Sequence, residues 1–152
     1  MKSSKPKKTL EEKYDISADI WSVTSYNELR RDALHCERWN TLHPMEKPKV
    51  PYVTQCLTKE KGVFVAASDY LKALPDGLAR WIPGPLLSLG TDGFGRSESR
   101  KTLRDFFEVD ERYIVITTLL HFVREGKIKS DVVLKAIEDF GLNPEKLNPM
   151  IS

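Results

Sequence analysis

Cysteine is scarce in this chain. Two residues, Cys36 and Cys56, in 152 are too few for a disulfide framework, and they form neither CxxC nor a Cys/His ligand spacing. They read as reduced, mostly buried thiols of a cytoplasmic protein. Long apolar runs are missing too. Stretches such as Val63-Phe64-Val65-Ala66-Ala67 fall far below the roughly 20 residues that a membrane-spanning helix needs. No apolar stretch follows the first lysines, which argues against a secretory signal. Motifs of chemistry are absent as well: no HExxH, no GxSxG around a serine, no GxxxxGK[ST]. The histidines are only three, His35, His43 and His121. His35 adjoins Cys36 on an expected helix, where neighbouring side chains diverge, so no Cys/His dyad is expected there.

A strong excess of charge is also lacking. The net charge is +2, and four of the lysines lie within Met1 to Lys8, which leaves the rest of the chain slightly acidic. A Lys/Ser/Pro segment cannot build a core, so residues 1–9 are expected to form a disordered basic tail. No basic stripe with interleaved aromatics follows, so a nucleic-acid partner is not expected.

What is present is an ordinary globular balance, 40% hydrophobic and 30% charged residues. Residues 10–152 suit one domain large enough to bury a core. Leu10 to Tyr14 reads as the last turn of a helix. Ala18 to Ser25, with Ile20-Trp21-Ser22-Val23-Thr24, reads as a strand. Ser25 or Asn27 then caps a helix from about Glu28 to Trp39, with Leu29, Ala33, Cys36 and Trp39 near one face. Pro44, Pro48 and Pro51 make the next stretch irregular. A short helix over Tyr52 to Thr58 leads to a second strand, Val63 to Ala67, whose unbroken apolarity predicts cover on both faces. Ser68 or Asp69 is expected to cap a short helix around Tyr70 to Leu74, with a helical turn over Gly77 to Trp81. Leu86 to Leu89 is the third strand, and another short one could lie near Tyr113 to Thr117. The end of the chain is helical. Ser99 to Phe107 comes first, then a helix capped by Asp110 and running through Arg124 on the stripe Tyr113, Ile116, Leu120 and Val123, a face that Val115 and Ile114 broaden. A last helix covers Val132 to Phe140. The alternation implies α/β with a mainly parallel sheet.

The Gly-rich loop Gly90-Thr91-Asp92-Gly93-Phe94-Gly95-Arg96-Ser97 follows the third strand and precedes a helix, a place where α/β proteins often hold ligands. Arg96, Arg100 and Arg104 could join backbone donors in holding an anion. The order is GxxGxG, however, rather than the dinucleotide pattern. The alternative is a structural loop at a subunit or domain boundary, and both readings name Gly90 to Ser97 and Arg100 as the candidate site.

The segments Asp19 to Asp32, Cys36-Glu37-Arg38-Trp39-Asn40, Leu42-His43-Pro44, Ala66 to Tyr70, Leu89 to Ser97 and Arg100 through Asp110 resemble the homodimeric pyruvate dehydrogenases of bacteria, in matching order. The resemblance covers about Leu10 to Pro149. In that family the region is the last domain, similar to the transketolase carboxy-terminal domain, which implies a mostly parallel α/β sheet flanked by helices. The family's opening strand and most of the helix after it have no counterpart here, so a thin sheet and a truncated or excised chain are expected. The resemblance further implies a full enzyme that uses thiamine diphosphate and magnesium to decarboxylate pyruvate. That enzyme is a homodimer and passes the acetyl group to a dihydrolipoyl acetyltransferase component. The cofactor motif and the residues that activate the coenzyme belong to earlier domains. No catalytic, cofactor-binding or metal-binding residue is therefore carried over, and Thr91-Asp92-Gly93 does not match the diphosphate–magnesium motif. The expectation is a non-catalytic structural and assembly domain. A stand-alone anion- or partner-binding module using Gly90 to Arg104 is the alternative.

Overall fold

Hydrophobic spacing and capping residues account for most of the elements. The computed structural model describes residues 5–152. Its helices are α1 (Lys5–Tyr14), α2 (Tyr26–Leu42), α3 (Tyr52–Leu57), α4 (Ala73–Asp76), α5 (Arg100–Phe106), α6 (Glu111–Arg124) and α7 (Ser130–Asp139). The strands are β1 (Phe64–Ala67) and β2 (Leu86–Leu89), and a 3-10 turn covers Ala79–Trp81. The chain divides into two compact units. One comprises Met1–Trp21, Ala67–Lys72 and Leu89–Ser152, and the other Ser22–Ala66 and Ala73–Ser88.

In the second unit, the Ser25 hydroxyl accepts a hydrogen bond from the Glu28 amide at 3.2 Å and starts α2. This satisfies one of the orphan donors of a helix N-terminus. The helix buries Ala33 and Cys36. Ala33 joins Val53, Leu57, Leu78 and Trp81 in one core, with Leu29 and Phe64 packed against it. Trp81 keeps its indole N–H satisfied on Glu37 at 2.9 Å. His35 is exposed while Cys36 is buried, so the adjacent pair diverges. Burial also pushes the Cys36 thiol pKa up, with Asp32 adding to it, which keeps the group protonated.

The first unit centres on Leu10, Val115, Leu119, Val133 and Ala136. Asp110 caps α6 by accepting from the Arg112 amide at 2.9 Å. The stripe of α6 that is buried is Val115, Thr118 and Leu119. It takes in Val115 of the predicted face, Ile116 and Val123 of the predicted stripe pack half-buried against the same core, and Leu120 is exposed.

Four expectations need correction. Residues 5–8, expected in a disordered tail, open α1, where Lys7 and Lys8 pair with Glu11 and Glu12 one turn on; residues 1–4 lie outside the described residues. Ala18 to Ser25 is not a strand. Ile20 and Trp21 are each 52% exposed, and β-branched composition without a ladder partner does not make a strand. The short helix expected around Tyr70 to Leu74 begins only at Ala73 and runs to Asp76, because the backbone of Tyr70 and Lys72 is spent on loop contacts described below. Tyr113 to Thr117 lies within α6.

Among the described residues the sheet has two strands, ordered β1-β2. The Phe64 amide donates to the Pro85 carbonyl and the Ser68 amide to the Leu89 carbonyl. Both numbers advance by four, so the pair is parallel. All four residues of each strand are half-buried, less than the two-sided cover predicted for Val63 to Ala67.

Candidate functional site

The Gly-rich loop is held at its start by the segment Ser68 to Lys72, within the first unit. The Thr91 amide donates to the Tyr70 carbonyl at 2.9 Å, and the Thr91 hydroxyl donates to the Asp69 carbonyl at 2.9 Å. Asp92 answers on the other side. Its carboxylate accepts from the Lys72 amide at 3.3 Å and pairs with the Lys72 ammonium at 3.7 Å. These bonds use the backbone groups that a helix over Tyr70 to Leu74 would have needed. Gly90 is buried between them. A Cβ there would lie 2.5 Å from the Tyr70 carbonyl oxygen and 2.9 Å from the Lys72 nitrogen, so only glycine permits this approach.

Beyond Asp92 the loop is exposed. Gly93 has φ +108° and lies against Pro149 and Met150. Phe94 is 79% exposed. Ser99 ends the loop and starts α5 by accepting from the Thr102 amide at 3.3 Å.

Arg100 and Arg104 stand one turn apart on α5, and both face Asp69, with N–O distances of 3.5 and 3.7 Å. Arg96 is elsewhere. Its guanidinium donates to the Ser152 carbonyl oxygen at 2.5 Å and lies 5.0 Å from the centre of the Phe106 ring. A cavity of about 470 Å³ is bordered by Asp69, Thr91, Arg96, Arg100, Arg104 and Phe107 among others. The three arginines thus share a cavity rim but do not converge on one point. Asp69 already neutralises one positive charge there. Gly95 and Ser97 take part in no described hydrogen bond with side chains.

The donor set does not fit a magnesium diphosphate. Both Asp92 oxygens are engaged by Lys72, and Asp69 is engaged by two arginines. Among the described residues no group of three or more His, Cys, Asp and Glu side chains gathers as a metal site. No helix of the described residues is long and apolar enough to cross a membrane.

Sequence reasoning placed Gly90 to Ser97 and Arg100 together and missed the carboxylate opposite them. The sequence offers Ser68 or Asp69 only as a helix cap. The i, i+4 spacing of Arg100 and Arg104 is a usable signal that both share a helix face. No local signal announces Asp69, Pro149 or Met150 as neighbours, because they come from distant parts of the chain.

Residues 3–110 match the family described as the transketolase-like TK C-terminal domain. The chain belongs to that family. The transketolase-like domain here is 49% identical, over 94% of its length, to a protein of Pseudomonas aeruginosa named pyruvate dehydrogenase E1 component. It is 43% identical over 91% of its length to the protein of that name from Escherichia coli. A third, from Buchnera aphidicola, is 48% identical over 91% of this chain. In each case the match takes up 16% of the relative. The chain thus spans about a sixth of the length of the relatives it matches, and the homodimeric bacterial type is the one resembled.

Proposed function

We propose that this domain serves the pyruvate dehydrogenase E1 component as a structural and assembly part, with the reacting machinery supplied by other segments. The observation that carries the reading is the near end-to-end match, at 49% identity, to a sixth of a protein of that name. On this reading the whole protein decarboxylates pyruvate with thiamine diphosphate and magnesium, works as a cytoplasmic homodimer, and hands the acetyl group to a dihydrolipoyl acetyltransferase component. The two-stranded sheet is then one portion of a larger, mostly parallel sheet that includes the family's opening strand. The loop Gly90 to Ser97 with Arg100 is an interface element. Its fixed base on Tyr70 and Lys72 and its exposed Phe94 support that role. The separate engagements of Arg96 and Arg100 weigh against a dedicated anion site.

A complementation experiment tests this. The Pseudomonas aeruginosa relative is produced without its matching segment, and this chain is supplied separately. Restored pyruvate-dependent acetyl transfer is expected, while this chain alone shows no saturable binding of thiamine diphosphate. Tight coenzyme binding by the chain alone refutes the assembly reading. So does failure of the folded chain to restore activity when the relative's own excised segment succeeds.

A further inference from the structure

After α7 the chain runs without regular structure from Gly141 to Ser152, yet three separate contacts pin it. The first is Lys146. Its ammonium donates to the carbonyls of Asp105 and Phe106, at 2.6 and 2.9 Å, and lies 3.8 Å from the Glu108 carboxylate. These carbonyls close the end of α5. Helix C-terminal carbonyls lack partners within the helix and attract cations, so Lys146 meets both needs. The ammonium also lies 5.6 Å from the ring centres of Phe106 and Tyr113.

The second contact is Gly93. A Cβ there would lie 2.6 Å from the Pro149 carbonyl oxygen and 3.0 Å from the Met150 Cα. Two backbones meet here with no room for a side chain. The third contact is Arg96 on the Ser152 carbonyl oxygen at 2.5 Å. Its guanidinium stands over the same Phe106 ring that Lys146 approaches.

We propose that residues 146–152 form a latch on the Gly-rich loop, so that latch and loop 93–97 are ordered together and released together. Closed, the latch seats Gly93 and holds Arg96 on Ser152, apart from the Arg100–Asp69–Arg104 cluster. Open, it frees Arg96 and the exposed Phe94 to move. The proposal is independent of what the domain assembles with, since it concerns only contacts within the first unit. Its physical basis is that the anchors are shared. Phe106 serves both Lys146 and Arg96, and the Gly93 contact needs Pro149 in place. Contacts of this kind open locally at less cost than the buried core.

Backbone nitrogen-15 relaxation on the 152-residue chain tests the coupling in both directions, because coupling between two sites is reciprocal. Lys146→Met keeps the apolar stem and removes the donors. It is expected to lower the order parameters across 93–97 from about 0.85, the value of rigid backbone, to below about 0.6. Gly93→Ala is expected to lower those of 147–152 in the same way. Val115 to Leu119 keep their order parameters in both. Should Lys146→Met fail to fold, Arg96→Gln at the exposed third contact asks the same question and is expected to release 147–152. The latch is overturned if 147–152 is released while 93–97 keeps its order parameters, or if Arg96→Gln leaves 147–152 unchanged.

Discussion

Replacing Gly90 with alanine is the sharpest probe of how the loop is built. The new methyl would sit 2.5 Å from the Tyr70 carbonyl oxygen, where ordinary contact begins near 3.4 Å. One of the two backbones must therefore retreat by roughly 0.9 Å. Both atoms it meets first are main chain, so no side chain can swing away. Inserting a methylene into such packing costs about 1–3 kcal/mol. The retreat also stretches the Thr91-to-Tyr70 bond of 2.9 Å and the Lys72-to-Asp92 bond of 3.3 Å, each worth about 1 kcal/mol net. A loss of about 3 kcal/mol is expected, which lowers the Tm by about 6–12 °C for a chain of this length. The control is Gly95→Ala in the same loop. A Cβ there meets nothing within 4 Å, so its effect should stay within about 0.5 kcal/mol. Thermal unfolding followed by circular dichroism reads both. If the Gly90 variant melts with the parent, or the two variants fall equally, the close approach at Tyr70 is not what shapes the loop.

Two further outcomes are expected. Leu119 is fully buried in the first unit's core, so Leu119→Ala should cost about 2–5 kcal/mol in urea unfolding; a loss below about 1 kcal/mol would show that the α6 stripe is misplaced. The Tyr113 phenol is pushed up to about 12 by burial, with Glu108 and Asp105 adding to the effect. Its folded-state pKa is raised, so its contribution to stability is complete below about pH 10 and is lost as pH rises through about 12. In a spectrophotometric titration Tyr113→Phe should remove the last tyrosine to ionise, and an unchanged alkaline limb would refute that.

Parts of this structure were legible because local chemistry decides them. Ser25, Ser99 and Asp110 each sit before a helical run and each accepts from the first-turn amides, as capping residues must. Ala33 and Cys36 follow the helical period into a core. Where the outcome needed a partner, local chemistry misled. Ile20 to Thr24 has strand composition and no strand to pair with. Ser68 and Asp69 look like helix caps, yet the Tyr70 and Asp69 carbonyls go to Thr91. The basic start reads as a tail, while Lys7 and Lys8 find Glu11 and Glu12 on one helix face.

The residue order alone determined the starts of α2, α5 and α6, the parallel pair of apolar strands and, through long ordered blocks of resemblance, the family. These depend on neighbours within a few positions, or on identity itself. Folding in three dimensions decided that Asp69 faces Arg100 and Arg104, that Gly90 passes beneath Tyr70, and that Pro149 closes over Gly93. Such contacts join residues 20 to 56 positions apart. Their energies come from distance and burial, which no spacing along a chain encodes.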